Sequence, residues 1–215
     1  MGSLPSSRAC STVNVPLGAR GLLNLDIGEQ AQPRTAITLC GSIRKASYNE
    51  ILRRYVSLKL REAGVEVEDI NLRDYPMPIF DEDLEAGHTP EAASILAQKF
   101  GKADIVVIIS PENNSGTTAL IKNTIDWISR QKHGQFRHAI FGIGAVSSGK
   151  YGGVVGIQHL RDSLSKLGAL LAPTLLGAGP AEDAFDSNGM PTEPVIQKKV
   201  DQLVRELTHF SRGGI

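Results

Sequence analysis

The 215 residues, 41% apolar and 21% charged, predict a soluble globular chain of one domain with a sizeable core. Twenty-three basic residues balance twenty-three acidic ones, so no net field recruits nucleic acid, an anionic membrane or a charged carrier protein, and any anion site has to be local. The longest apolar runs, such as IVVII at 105–109, are strand-sized and far short of the roughly 20 residues of a spanning helix. Two cysteines, Cys10 and Cys40, give neither a disulfide framework nor a metal spacing, which fits a reducing cytoplasm.

Residues 1–34 show no sustained periodicity and are rich in Ser, Gly and Pro, so they are expected to form an irregular extension outside the fold. Arg8 and Arg20 without an acid before Asp26 leave a transit peptide as the second reading, and a long apolar run of the secretory kind is missing. From Thr35 to about residue 212, short β-rich runs alternate with amphipathic stretches. Strands are predicted at 35–41, 65–72, 104–110, 138–145 and 169–177. The first helix is predicted from Tyr48 to Ala63, ended by Gly64. The second is capped by Thr89, with Pro90 in its first turn and Gly101 closing it. A third covers ALIKNTIDWISR, a fourth starts near Gly153, and a fifth spans Glu193 to Phe210. The alternation predicts an α/β fold, a doubly wound five-stranded parallel sheet with helices on both faces and the wholly apolar 105–109 strand at its centre. Ligands of such sheets lie beyond the carboxyl ends of the strands where the winding reverses, which singles out the loops at 41–49, 110–118 and 144–153.

The first loop, GSIRKASYNE, gathers Gly41, Ser42, Arg44, Ser47, Tyr48 and Asn49 at the mouth of a helix. A capping box from Ser47 and Glu50 explains Ser47 alone. A phosphate at the helix N-terminus would use backbone N–H groups, both hydroxyls, the amide and the guanidinium together. The loop carries neither the P-loop Lys nor G-x-G-x-x-G. The second loop, SPENNSG, is a turn by composition, yet Pro111, Glu112, Asn113 and Asn114 sit at the crest of the central strand, where amides and backbone suit a flat heteroaromatic. The third, GAVSSGKYGG, satisfies G-x-x-x-x-G-K at 144–150, but Tyr151 stands where a P-loop needs Ser or Thr on magnesium. Its other use is to wrap a ring with Ser147, Ser148 and Gly149. His88, His133, His138, His159 and His209 show no ligand spacing, so no metal site is expected, and no nucleophile elbow is present.

Together these loops resemble the NADPH-dependent FMN reductase family, flavodoxin-like enzymes that include quinone and chromate reductases, over about residues 35–210. Gly41, Ser42, Arg44, Ser47 and Asn49 match the family's G-S-x-R-x-x-S-x-N phosphate loop. Pro111, Glu112, Asn114, Lys122, Asn123, Ile125, Asp126 and Trp127 match its P-E-Y-N and L-K-N-A-I-D-W signature, and Ser147, Ser148, Gly149, Gly152, Gly153, Gln158 and Arg161 its third. Asn113 replaces the usual Tyr, Gly116 the usual Ser and Thr118 a frequent Pro. The lost ring at 113 corresponds to about 1 kcal/mol of packing, which implies weaker flavin binding or wider access.

The resemblance implies FMN, its phosphate in the first loop and its ring across the other two. It implies transfer of a hydride from NADPH or NADH through FMN to a small acceptor such as a quinone, free flavin, ferric chelate or chromate, without a catalytic side chain. A homodimer or homotetramer is implied as well. The competing readings are a flavodoxin-like electron carrier, disfavoured by the neutral charge and Arg44, and a binding protein that has lost its flavin.

Overall fold

The structure, a computed structural model, describes residues 32–131 and 135–210. The reading of residues 1–34 as an extension or transit segment lies almost wholly outside the described residues, as do Cys10 and His133. Five strands, β1 (Thr35–Cys40), β2 (Glu66–Ile70), β3 (Ile105–Ile109), β4 (Ile140–Val146) and β5 (Leu170–Ala178), form one sheet in the order β2-β1-β3-β4-β5. Every pairing is parallel. The doubly wound, five-stranded parallel α/β fold expected from the sequence is therefore the fold observed.

The central position of β3 follows from its composition, since all five of its residues are buried and neither face tolerates a polar side chain. Alternate residues serve the two faces. Val107 and Ile109 join the core beneath α1 (Tyr48–Glu62) and α6 (Pro194–His209). Val106 and Ile108 join the core beneath α3 (Glu91–Lys102), α4 (Ala119–Ser129) and α5 (Val154–Lys166). In register, Cys40 lies beside Ile109 and Ile109 beside Gly144, so the chain leaves β1, β3 and β4 at nearly one level.

Three local expectations are corrected. Ser47 stands at the N-cap of α1 but makes no side-chain cap bond, the Glu50 N–H donating to the Ser47 carbonyl instead, and the Glu50 carboxylate is held by Arg53 and Arg54, so neither half of a capping box forms. At α3 the N-cap is Pro90 rather than Thr89, and the helix runs through Gly101 to Lys102. Two elements were not foreseen: a 3-10 turn at Leu72–Asp74 and the short α2 (Glu82–Gly87). The latter has no buried residue and therefore no apolar stripe to read; Asp81 caps it by accepting the Asp83 N–H. Gly64 does end α1 in the left-handed region, at φ 82°.

The signature on α4 holds down the segment that joins the 3-10 turn to α2. Asn123 donates to the Pro78 carbonyl at 2.9 Å and accepts from the Phe80 N–H at 2.7 Å. The Trp127 indole donates to the same carbonyl at 2.8 Å and meets Phe80 edge to face. Arg130 pairs with Glu85 on α2. Lys122 and Asp126, four apart, form their own ion pair.

Candidate functional site

The loops after β1, β3 and β4 come together at the carboxyl edge of the sheet, each for an identifiable reason. Gly41 is there because nothing larger fits: a Cβ would lie 2.3 Å from Ser110 Oγ, while its N–H donates to the Ile109 carbonyl at 2.8 Å. This binds the β1 loop to the β3 loop. Beyond it Ser42 is half-buried and Arg44 exposed, with the Arg44 N–H on Ser42 Oγ at 3.3 Å. The N–H groups of Ile43, Lys45 and Ala46 have no acceptor among the described residues. Ser47 is buried, and Tyr48 packs against the α1–α6 core.

Asn49 has a role that its place in the motif did not announce. Its amide donates to the Val146 carbonyl at 2.9 Å, and its carbonyl accepts the Val146 N–H at 2.8 Å. Both bonds are buried. They staple the head of α1 to the last residue of β4, so that the first and third loops share one foundation.

In the second loop Asn113 and Gly116 exchange two backbone hydrogen bonds, N–H to O at 3.0 and 2.9 Å, around Asn114 at φ 49° and Ser115 at φ 61°. Two successive positive φ values are the signature of the tight two-residue hairpin, for which Asn is well suited. Pro111 and Glu112 form its base. Glu112 accepts the Gly156 N–H in the first turn of α5 at 2.8 Å, placing a carboxylate on the positive end of that helix. Gly156 permits this approach, since a Cβ there would come within 3.0 Å of both Glu112 Cβ and the Gly116 carbonyl.

The third loop lies on the end of β5. Ser147 N–H donates to Ala178 O at 3.2 Å, Ser147 Oγ accepts the Gly149 N–H at 3.3 Å, and Gly152 N–H donates to Gly149 O at 3.0 Å. Gly152 has φ 60°, and a Cβ on it would meet Ala178 N at 2.4 Å. Ser148 and Gly149 are exposed at the tip.

The twelve residues expected to bind the cofactor fall on these three adjoining loops and, for Tyr48 and Asn49, on the first turn of α1, but they divide by what they touch. Arg44, Asn113, Asn114, Ser148 and Gly149 face outward; Asn49 and Glu112 spend their side chains on backbone groups inside the chain. Thr117 was missed. Its Oγ1 is buried without a hydrogen-bond partner, and it sits between the hairpin and Thr118, the N-cap of α4, where no local pattern distinguishes it.

A charged network supports the first loop from below. Arg53, buried, reaches Glu50 at 2.7 Å, Asp69 at 2.5 Å and Thr38 Oγ1 at 2.8 Å. Arg61 also pairs with Asp69, at 2.9 Å. Burial opposes the charge on Asp69, yet the Arg61 hydrogen bond, the Arg53 charge and the Ser57 and Thr38 hydroxyls outweigh it and bring the carboxyl down to about 2. Burial likewise opposes ionisation of Glu50, and Arg53 and Arg54 hold it below the usual carboxylate range. Burial pushes the neighbouring Cys40 thiol up to about 11, which keeps it protonated.

The donor set fits a phosphorylated flavin. Unspent amides and a guanidinium without an internal partner stand at a helix head, beside a crest that carries an unsatisfied hydroxyl. Among the described residues no group of three His, Cys, Asp or Glu could hold a metal.

Comparison with known proteins agrees. Residues 35–183 match the NADPH-dependent FMN reductase family. A quinone reductase of Escherichia coli is 33% identical over 177 residues, covering 81% of this chain and 92% of that protein. An NAD(P)H:quinone oxidoreductase of Solanum tuberosum is 30% identical over 188 residues, covering 82% and 93%. The structure of FerB, a flavoenzyme NAD(P)H:(acceptor) oxidoreductase from Paracoccus denitrificans, superposes with a TM-score of 0.67 at 27% identity, covering 83% of this chain and 99% of that one. The chain belongs to the NADPH-dependent FMN reductase family, as its motifs implied. It is an oxidoreductase that works with FMN and NAD(P)H. No described helix is long and apolar enough to cross a membrane.

Proposed function

We propose that the three-loop crest holds FMN and serves the two-electron reduction of a small acceptor, a quinone, free flavin, ferric chelate or chromate. The observation that carries this is the convergence at the head of α1 of the free Ile43, Lys45 and Ala46 amides with the Arg44 guanidinium, which has no partner among the described residues. Bound there, the flavin would supply the relay that takes a hydride from NAD(P)H and passes electrons to the acceptor. Ser42, Arg44 and the adjacent amides would bind its phosphate, with Ser47 and Tyr48 shaping the turn. Pro111, Asn113, Asn114 and the Thr117 hydroxyl would orient the ring. Ser147, Ser148 and Gly149 would oppose negative charge developing on its pyrimidine edge. Asn49 and Glu112 would hold the loops at fixed separation.

The crest is open at Asn113, which supports a wide choice of acceptors at one face. Residues 35–212 would form the catalytic domain and 1–34 an appendage to it. A homodimer or homotetramer acting in the cytoplasm completes the reading. A protonated, buried Cys40 is compatible with that compartment.

An absorbance spectrum after desalting, followed by turnover of NADPH and NADH against an acceptor panel, tests the proposal. Flavin bands and steady NAD(P)H oxidation are expected. A colourless protein that takes up no added FMN would overturn it, and a yellow protein without turnover would point to a carrier.

A further inference from the structure

Next to the first loop, on its β2 side, lies a cleft of about 260 Å³ whose rim carries Arg44, Lys45, Arg54 and Arg73. Its two carboxylates, Glu50 and Asp69, are already matched: Glu50 by Arg53 and Arg54, Asp69 by Arg53 and Arg61. The Lys45 and Arg73 side chains make no hydrogen bond or ion pair among the described residues. Asn71 lines the same cleft, accepting the Arg73 N–H on Oδ1 at 3.2 Å and leaving its NH2 group undonated. In a chain with no net charge, this is a local surplus of positive charge and donors.

A second depression of about 320 Å³ adjoins the cleft and shares Ile43, Leu72 and Arg73 with it. Its other walls are Tyr75, Pro76, Met77 and Leu120, with Asn123 and Thr124, so it is mainly apolar where the cleft is cationic. Leu120 is in the first turn of α4, directly after the second loop of the crest. A mainly apolar slot beside the head of α4, continuous with a cationic cleft, has the chemistry of a site for a nucleotide base and a phosphate monoester.

We propose that the slot and cleft take the adenosine 2′-phosphate end of NADPH, the base against Tyr75, Pro76 and Met77 and the phosphate between Lys45 and Arg73. The proposal rests on the crest being the flavin site, since the nicotinamide then has to reach that ring. It makes Lys45 and Arg73 the residues that distinguish NADPH from NADH, which lacks the 2′-phosphate. Arg73 is separate from the flavin contacts and Lys45 joins them only through its backbone N–H, which Lys45→Gln keeps; as exposed side chains without partners among the described residues, both contribute little to folding.

Calorimetric titration of the full-length protein with 2′,5′-ADP and with 5′-AMP tests this without any flavin chemistry. The wild type is expected to bind 2′,5′-ADP at least tenfold more tightly, and Lys45→Gln and Arg73→Gln each to lose most of that preference. In turnover both variants should raise the KM for NADPH about tenfold, leave that for NADH unchanged and retain FMN. Equal binding of the two probes by the wild type, or an undiminished preference in the double variant, would overturn the proposal. Loss of FMN from the variants would also overturn it, because the cleft would then belong to the flavin phosphate. Failure of the wild type to bind FMN would sink the reading of the crest instead, with the probe titration still reporting on the cleft.

Discussion

Glu112 and Gly156, 44 positions apart, are joined by a 2.8 Å hydrogen bond from the Gly156 N–H to the Glu112 carboxylate. It ties the hairpin after β3 to the first turn of α5, and so fixes the distance between two walls of the crest. Removing the carboxylate leaves a helix-terminal N–H without its anion, a loss of about 1 kcal/mol. Glu112→Ala is expected to lower Tm by a few degrees and to weaken FMN binding severalfold, although the residue need not touch the flavin. Flavin titration of the apoprotein, with thermal unfolding alongside, measures both. Unaltered FMN affinity would mean that the hairpin keeps its place without this bond.

Arg44 should behave in the opposite way. It is exposed and its guanidinium has no acceptor among the described residues, so Arg44→Ala, which keeps the backbone N–H on Ser42, is expected to leave the Tm of the apoprotein unchanged. Loss of a charge-assisted bond to phosphate corresponds to about 1.5–3 kcal/mol, or roughly ten- to a hundredfold in the FMN dissociation constant. Equal FMN affinity in the variant would remove Arg44 from the phosphate site.

Asn49→Ala breaks both buried bonds to Val146 and leaves a peptide N–H and C=O unsatisfied, at a cost of about 2–4 kcal/mol. The expected outcome is a clear fall in Tm even without flavin. Asn49→Asp should not rescue it, because the carboxylate keeps the acceptor for Val146 N–H but faces the Val146 carbonyl with no proton to give. An unchanged Tm in Asn49→Ala would show that water replaces the staple without loss.

The Asp69 network predicts an acid limb in stability. The folded-state pKa of Asp69, about 2, lies below its ordinary value of 3.8, so its contribution is fully present above about pH 4 and is lost as the pH falls toward 2. Asp69→Asn should flatten the pH dependence of unfolding within that window and lower stability at neutral pH. Denaturant unfolding followed by circular dichroism from pH 2 to 7 reads the difference. Parallel pH profiles for the two proteins would exclude Asp69 as the source of the acid limb.

Much of this was readable in the chain. Ile105 to Ile109 announced a doubly covered central strand, and Ser42, Arg44, Pro111 and Ser147 marked the three loops that meet. Local spacing could not show Asn49 bonded to a residue 97 positions away, nor Glu112 serving a helix that begins beyond β4. Such partners exist only once the strands are ordered. The helix at Glu82–Gly87 was invisible for a different reason, since it buries none of its own residues and depends on Arg130 and on the anchored Pro78 and Phe80. Ser47 and Glu50 had the spacing of a capping box, but two arginines competed for the carboxylate and won.

The glycines under the third loop set unequal limits on redesign. At position 152 any side chain would meet the backbone of β5 at 2.4 Å, and at 179 a Cβ would lie 2.3 Å from the Gly149 carbonyl, so this flank accepts no added bulk. Position 113 is free of that restriction, because it is exposed and the strained backbone falls on its two successors. Libraries aimed at new acceptors should therefore vary residue 113, where an aromatic ring is admitted without disturbing the scaffold, and leave the opposite wall alone.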